Sequence, residues 1–586
     1  MSQTKVARSA RPIGPNYKWI ALSNTTLGML MATINSSIVL ISLPAIFTGV
    51  GVDPLAPGET NYLLWMLMGF MIITATLVVT FGRIGDIYGR VKLYNLGFAI
   101  FTVGSILLFL TPGSGNTAII LMILFRLVQG VGAGFLMANS TAILTDAFPA
   151  HQRGMALGIN QMVAILGSIL GLIVGGVLSV ISWRYVFLVS VPFGIFGTVW
   201  AYLKLRETSQ ASSRRQGIDW LGNITFFLGL TILLIGMTYG IEPYGTSAMG
   251  WGNPLVIAAL VIGAVLLITF VGIEMRVADP MFQLSLFKIP TFTYGNISAL
   301  LASLARGGLQ FILIIWLQGI WLPLHGYNFE DTPLWAGIYM LPLMIGFVLM
   351  GPVSGWLSDR YGARIFSSVG MFLQAIGFLL LTFLPTNFDY VWFAVILFVM
   401  GVGQGMFASP NTTEIMNSVP ASQRGAGSGM RSTFQNAANV ISMGMFFSIV
   451  TAGLAGALPS ALFGGLTKAG LPAAISTKVA HLPPVAALFA AFLGYNPVQT
   501  LLPKAVLHSL PQASRHTLLG KSFFPNLMST PFVGGLHIAF YVATAMCLVA
   551  GCVSLIRAKA AVPEAEREHI DFVAPEVEAV AELAND

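Results

Sequence analysis

Charged side chains are scarce in this chain, and that scarcity limits the kinds of protein it can be. Only 9% of the 586 residues are Asp, Glu, Lys or Arg, compared with about 25% in soluble domains. Apolar residues make up 56% of the chain, and the mean hydropathy is +0.81. Such a chain cannot fold as a soluble protein, so its net charge of +7 has no soluble basic surface for nucleic acid.

Cysteine and catalytic side chains are also rare. The two cysteines, Cys547 and Cys552, have no His or carboxylate beside them, which excludes a disulfide scaffold and argues against a metal site. No His lies centrally in an apolar run, and no glycine-rich nucleotide loop of the Walker type occurs. We therefore expect neither an enzyme nor an ATP-driven pump, and no cofactor.

Long apolar runs are what the chain has in abundance. Runs such as 62–81 and 119–137 can each cross a hydrocarbon core of ~30 Å as a helix. About fourteen spans are predicted, at 17–48, 61–81, 93–111, 117–145, 155–182, 186–205, 219–241, 253–274, 292–322, 334–355, 365–385, 390–416, 426–453 and 532–557. This pattern predicts an all-α membrane protein with two six-helix bundles and an inserted helix pair, six plus two plus six.

Basic residues lie mainly on one side of the predicted spans. Of the 29 Lys and Arg residues, 20 fall on the side of the N-terminus when the residues at span ends are counted with that side, 6 fall on the opposite side and 3 lie well inside spans. Because positively charged loops stay in the cytoplasm, both termini of this multi-pass protein are predicted to lie on the cytoplasmic side of the cell membrane.

The predicted spans divide the chain into five parts. They are a cytoplasmic segment at 1–16, an N-terminal six-helix bundle at 17–206, a linker with the inserted helix pair at 207–291, a C-terminal six-helix bundle at 292–557 and an acidic cytoplasmic tail at 558–586.

The C-terminal bundle includes an extracytoplasmic insert at 455–531. Its apolar patches, such as 485–493, are separated by prolines, which predicts short amphipathic helices over the outer mouth of the bundle. A disordered loop is the alternative, and the apolar content of the insert argues against it.

One loop sequence occurs twice, about 270 residues apart. The first copy runs from Gly82 to Lys92 and the second from Gly355 to Arg364, and each joins the end of one apolar run to the start of the next. Both keep an Asp, a following Gly and an Arg at matching places, which favours a duplicated bundle. The loop resembles the cytoplasmic loop between the second and third spans of major facilitator superfamily transporters.

Further motifs extend this resemblance over almost the whole chain. They are Arg126 to Gly132 in span four, Phe148-Pro149 with Arg153-Gly154, and Trp183 to Phe187 with Pro192. In span five Gly167, Gly171 and Gly175 leave one helix face without side chains, which predicts close helix packing. The resemblance is closest to the fourteen-span drug:proton antiporters, whose motif would also place Pro at Leu172.

The resemblance implies roles for several charged residues. The repeated loop is a conformational latch in the family, which assigns that role to Asp86, Arg90, Asp359 and Arg360, while a charge cluster that only sets membrane orientation is the alternative. Arg126 matches the family's buried span-four Arg, which is linked to proton coupling there. A purely structural Arg, satisfied by carbonyl groups, is the alternative.

Proton coupling needs a side chain that can ionise. The first-span signature of the family normally carries Asp where Asn35 stands, and an amide cannot take up a proton. Glu414 is therefore the first candidate and Asp146 the second. Glu414 precedes the turn near 419–424 by about as much as Arg431 follows it, which predicts a partly buried pair.

Polar side chains at helical spacing predict a hydrated cavity or, alternatively, hydrogen bonds between helices. The candidates for the cavity are Asn24, Asn35, Gln129, Asn296, Arg306, Gln310, Gln404, Asn411, Gln435 and Asn439.

Together these features imply a secondary transporter that moves a small hydrophobic or amphipathic molecule by alternating access, outward and in exchange for protons. A carrier of lipid-like cargo with weak or no proton coupling is the alternative, favoured by the apolar insert. The expected partners are the small molecule, the proton and the lipid bilayer, and the default expectation is a monomer.

Overall fold

The computed structural model describes residues 16–52, 60–207, 219–245, 247, 249–277, 280, 282–329, 331–420, 423–480, 482–493, 496, 498, 502, 506 and 510–556. Within that part, 14 helices are long and apolar enough to cross a membrane, which confirms the predicted fold class. Most of the predicted N-terminal segment, the acidic tail and 208–218 of the linker lie outside the described residues.

The helices follow the predicted order of six, two and six. The N-terminal bundle contains α1 (Tyr17–Val50), α2 (Thr60–Tyr88), α3 (Arg90–Phe109), α4 (Asn116–Ala147), α5 (Ala150–Ile181) and α6 (Tyr185–Lys204). The inserted pair is α7 (Trp220–Tyr239) and α8 (Pro254–Glu274). The C-terminal bundle contains six spans: α9 (Pro290–Leu324), α10 (Thr332–Ser358), α11 (Ala363–Leu381), α12 (Tyr390–Asn417), α13 (Arg424–Lys468) and α17 (Phe523–Ile556). Between α13 and α17 lie three short insert helices, α14 (Ala473–Ala480), α15 (Pro484–Leu493) and α16 (Gln512–Leu519).

Two sides of the bundle can be named from their loops. The Asp86 side holds the turn between α2 and α3, and the Trp183 side holds the turn between α5 and α6. Because the number of spans is even, α1 begins and α17 ends on the Asp86 side. The charge bias predicts that this side faces the cytoplasm.

The glycine stripe of α5 lies against α1 at backbone distance. A Cβ atom at Gly171 would lie 2.5 Å from a carbonyl oxygen of α1, and one at Gly167 would lie 2.9 Å from another. Ser42 Oγ also donates a hydrogen bond to the carbonyl oxygen of Gly175 at 3.2 Å. Side chains at these glycine positions would separate the two helices.

The predicted start and end of the insert were wrong. Span thirteen was predicted to end at 453 and the last span to begin at 532, but α13 continues to Lys468, and α17 begins at Phe523. Leu454, Leu458, Leu462 and Leu466 are fully buried at every fourth position. This stripe packs the extension into the protein, so tertiary contacts outweigh the helix-breaking signals.

Between α13 and α17 the chain turns back into the protein. The axes of α14 and α15 are bent by 86° relative to each other, and the described side chains of α15 from Val485 to Phe492 are almost all buried. Phe489 stacks on Phe447 of α13 with ring centroids 5.1 Å apart. A short helix that is apolar all round is a buried helix, not a surface amphipathic one.

The π-helical turn Trp316–Trp321 of α9 makes room for α15. A Cβ atom at Gly319 would lie 2.9 Å from the backbone of Ala491, and Gln318 Nε2 donates to the carbonyl oxygen of Phe492 at 3.3 Å. The insert helix α15 is therefore part of the C-terminal bundle on the Trp183 side, which corrects the prediction of a surface amphipathic helix at 485–493. The short helices α14 and α16 have both exposed and buried side chains, as an amphipathic helix does.

The inserted pair α7–α8 contacts both bundles on the Trp183 side. Trp65 Nε1 of α2 donates to Tyr239 Oη at 3.0 Å, and Trp251 Nε1 donates to Ser448 Oγ of α13 at 3.2 Å. In the turn after Tyr239, the side-chain amide nitrogen of Asn61 donates a hydrogen bond to the carboxylate of Glu242, with an N–Oε2 distance of 2.8 Å. These polar contacts hold the turn between α7 and α8 against both bundles.

Candidate functional site

A central cavity of about 390 Å³ lies between the two bundles. Helices α1, α2, α4 and α5 line it from the N-terminal bundle, and α9 to α13 line it from the C-terminal bundle. Its volume falls in the range of small-molecule sites.

The two bundles contact each other on both sides of this cavity. On the Trp183 side, a Cβ atom at Gly176 of α5 would lie 2.9 Å from the Cα atom of Leu334 of α10. On the Asp86 side, Met416 of α12 packs in one apolar cluster with Phe148 and Leu157. The cavity is therefore held between two contact layers, and separation of either layer would open it to that side.

Many of the predicted cavity residues line this space. They are Arg306, Gln310, Gln404, Asn411, Gln435 and Asn439, together with Arg126 and Arg431. Asn24, Asn35, Gln129 and Asn296 are buried between helices instead and do not line it.

Sequence reasoning missed four amides in the lining, Asn160, Gln161, Gln374 and Asn436. Asn160 and Gln161 lie about two helical turns before the glycine stripe of α5, and Asn436 directly follows Gln435. Their sequence positions relative to the glycines of α5 and to Gln435 could therefore have identified these three residues.

Arg126 is the centre of a buried polar network at the edge of the cavity. Its Nη1 donates to Asn35 Oδ1 and, at 2.9 Å, to Gln129 Oε1. Gln129 Nε2 in turn donates to Ser105 Oγ at 2.8 Å, and the guanidinium lies 4.6 Å from the ring centroid of Phe70. The hydrogen-bond partners in this network are all neutral. The amide oxygen of Asn35 therefore accepts from the guanidinium group of Arg126 at a position where the first-span signature normally carries Asp.

Arg431 and Glu414 do not form the predicted pair. Arg431 Nη2 donates to Thr412 Oγ1 at 2.7 Å. No ion pair joins it to Glu414 among the described side chains; the ion pairs seen there include those of Arg90 with Asp86 and with Asp146. Glu414 is half-buried and lies two residues before Met416, in the contact layer of the Asp86 side. Equal sequence separation from the turn predicts that two residues lie at a similar depth. It does not predict whether their side chains point towards each other.

The α2–α3 loop carries an ion network. Arg90 Nε donates to Asp86 Oδ1 at 2.8 Å, and Arg90 Nη1 donates to Asp146 at the end of α4. Glu207, which the sequence did not suggest, accepts from the backbone nitrogens of Arg90 at 2.9 Å and Val91 at 3.1 Å. A carboxylate is stabilising at a helix N-terminus, so Glu207 caps α3.

All of these groups belong to the N-terminal bundle, so the ion pairs do not themselves join the two bundles. In the second copy of the loop Arg360 is exposed, and the side chain of Asp359 lies outside the described part of the structure.

No Asp or Glu lines the cavity among the residues that the structure describes. The same residues contain no group of three or more His, Cys, Asp or Glu side chains that could hold a metal ion. What the site offers chemically is a set of guanidinium, amide and hydroxyl groups beside apolar side chains.

Known proteins resemble this chain over most of its length. The model of the Major Facilitator Superfamily matches residues 25–443. The chain is 29% identical to a riboflavin transporter of Clostridioides difficile (strain 630), covering 74% of this chain and 88% of that protein. It is 26% identical to multidrug resistance protein 3 of Bacillus subtilis (strain 168), covering 76% and 82%.

Solved structures share the fold at low sequence identity. A proton:xylose symporter of the superfamily bound to 6-bromo-6-deoxy-D-glucose superposes with a TM-score of 0.53 and 15% identity, covering 82% of this chain and 96% of that chain. A bacterial homologue of the human lysosomal transporter Spinster, in an inward-facing and occupied conformation, gives 0.52 and 14%, covering 94% and 98%.

Proposed function

Since the chain belongs to the Major Facilitator Superfamily, we propose that this multi-pass membrane transporter exports small amphipathic molecules in exchange for protons. The observation that carries the proposal is the central cavity, which both bundles line and which lies between two layers of contact. If the contact layers open alternately, a molecule in the cavity meets one side of the membrane at a time. The names of the relatives, a riboflavin transporter and a multidrug resistance protein, support a small organic cargo.

The energy source is proposed to be the proton gradient. Because the described lining contains no carboxylate, coupling would run through carboxylates on the Asp86 side. Glu414 lies near the contact layer there, and Asp146 is paired with Arg90. A carboxylate that changes its burial or its partner between two conformers can take up a proton in one and release it in the other. Glu414 remains our first candidate.

The Asp86–Arg90–Asp146 network is proposed to support this switch from inside one bundle. It ties the ends of α2, α3 and α4 together, and α2 also approaches α13, where a Cβ atom at Gly429 would lie 3.5 Å from the Cα atom of Val79. The network thereby fixes the surface that α2 presents to the second bundle.

A lipid-like cargo is a weaker proposal. Its support was the apolar insert, but the apolar residues of α15 are buried against α9 and α13. They leave little apolar surface that could guide a lipid.

Reconstitution in liposomes tests the proposal. With an imposed pH gradient, addition of riboflavin or of amphipathic dyes should produce counterflow of protons and accumulation of the dye. Glu414→Gln should abolish gradient-driven accumulation while dye exchange between equilibrated compartments continues. Arg276→Gln, at the exposed end of α8, is the control and should transport normally. Full accumulation by Glu414→Gln would remove Glu414 from the coupling step.

A further inference from the structure

Three arginines line the central cavity. Arg126 reaches it from α4, Arg306 from α9 and Arg431 from α13. Arg126 is only 2% exposed and Arg431 only 8% exposed. Arginine stays protonated in proteins, so the cavity carries three positive charges at the depth of the membrane.

In the part of the chain that the structure describes, the hydrogen-bond partners of Arg126 and Arg431 are neutral groups. Arg126 donates to Asn35 and Gln129, and Arg431 donates to Thr412. The Nε atoms of both Arg126 and Arg431 are buried and have no hydrogen-bond partner in the described part of the chain. No described Asp or Glu lines the same space.

Such an arrangement is unfavourable unless something else supplies negative charge. A charged Arg side chain is costly at the centre of a membrane helix, and charges inside the membrane normally pair with another group. The guanidinium group is a fork of donors that fits a carboxylate or phosphate group in two places at once. Cations, in contrast, would meet three like charges and no described counter-ion.

The remaining lining suits the rest of an amphipathic molecule. Amides such as Gln404, Gln435 and Asn439 can bind neutral acceptors and donors, and Phe311 and Phe407 offer apolar faces. We propose that the cargo of this cavity is an organic anion, with a carboxylate, sulfonate or phosphate group bound by the arginines and an aromatic or aliphatic body held by the rest. This proposal rests on the proposed function only in treating the cavity as the cargo site.

Equilibrium dye binding to the purified protein in a non-ionic detergent tests the charge preference. Fluorescein and rhodamine 123 share a xanthene skeleton but carry opposite charges, and a coumarin-3-carboxylate with its uncharged carboxamide provides a second pair. Fluorescence polarisation should show each anion binding at least about tenfold more tightly than its partner, since a hydrogen bond to a charged group is worth roughly one factor of ten or more.

Variants of the cavity arginines locate the effect. Arg306→Gln and Arg431→Gln should each weaken anion binding about tenfold or more, and Arg306→Lys should retain part of the preference because it keeps the charge. Arg276→Gln removes one positive charge outside the cavity and should leave binding unchanged.

Three results would overturn the proposal. They are tighter binding of rhodamine 123 than of fluorescein, no binding of either anion, and an equal loss in Arg276→Gln. Because binding is measured without a gradient, a protein that prefers anions but shows no proton-driven flux would contradict the proposed coupling and leave this inference standing.

Discussion

Two asparagines of α1 show how similar residues can have different roles. Asn24 and Asn35 are both fully buried and lie on one face of the same helix. Asn35 accepts a hydrogen bond from Arg126, whereas both polar atoms of the Asn24 side chain have no partner in the described part of the protein. Helical spacing identified the face but could not tell which residue meets a charge.

The two asparagines should respond differently to the same substitution. Asn35→Ala removes an acceptor from a buried guanidinium, and a hydrogen bond to a charged group contributes about 1.5–3 kcal/mol. Asn24→Ala removes no described hydrogen bond. We expect Asn35→Ala to lower the unfolding free energy by about that much more than Asn24→Ala, measured by thermal unfolding in detergent. Equal losses would mean that the Arg126–Asn35 bond contributes nothing.

The sequence predicted residue positions well where a polar group interrupts an apolar helix. Arg306, Gln310 and Gln435 line the cavity, which is one of the two alternatives that their spacing left open. Asn296 has the same spacing but donates to the carbonyl oxygen of Phe292 in its own helix at 2.8 Å. Spacing gives the direction of a side chain around its helix, and the neighbouring helix decides whether that direction leads to a cavity.

At the scale of elements, the insert differs most from its sequence-based description. The prolines between its apolar patches suggested short helices at the surface, but α15 is buried against α9 and α13. Contacts between residues dozens to more than a hundred positions apart are not visible in a local pattern.

Thiol labelling distinguishes a buried insert helix from a loop. In a chain with Cys547 and Cys552 replaced by Ala, we expect Ala487→Cys to resist a membrane-impermeant maleimide because Ala487 is fully buried. Thr477→Cys, in the exposed part of α14, should react quickly under the same conditions. Similar labelling rates at both positions would favour the disordered loop.

The turn between α7 and α8 should make the protein sensitive to pH. Burial raises the pKa of Glu242 from 4.5 to about 7. The folded chain therefore keeps a proton that the unfolded chain has lost, and stability falls as the pH rises from about 4.5 to about 7. Glu242→Gln should remove this part of the pH dependence.

Melting temperatures of both proteins between pH 4.5 and pH 8 would measure the effect. The two curves should meet at the acid end and separate as the pH rises, with Glu242→Gln the more stable. Parallel curves across this range would show that Glu242 does not titrate differently in the folded protein.

At the scale of the whole molecule, the contact between α5 and α10 closes the Trp183 side. Gly176 faces the backbone of Leu334, which cannot move aside as a flexible side chain could. Gly176→Ala should therefore push the bundles apart on that side. A cavity cysteine, Gln310→Cys, should then react faster with an impermeant maleimide added from the Trp183 side.

The matched control for this experiment is Gly464→Ala, because a Cβ atom at Gly464 would meet nothing within 4 Å. It should not change the reaction rate of Gln310→Cys. Unchanged labelling in Gly176→Ala as well would show that the α5–α10 contact does not limit access.

The number and order of the spanning helices could be predicted from the sequence more completely than any other feature. The long apolar runs and the repeated loop were sufficient to predict fourteen spanning helices in the order six, two and six. The end of α13, the start of α17 and the path of the insert could not be predicted in this way, since they depend on packing between distant segments.

An anionic cargo, as proposed for the cavity with three arginines and no described carboxylate in its lining, would also have an electrical consequence. An organic anion that leaves the cell while one proton enters moves two elementary charges in the same electrical sense. At 100 mV, negative inside, this corresponds to ~4.6 kcal/mol, or accumulation on the order of a thousandfold from voltage alone. Transport would then produce a measurable electrical current, because each cycle moves net charge across the membrane. A potassium diffusion potential imposed with valinomycin would drive export even where the pH is equal on both sides.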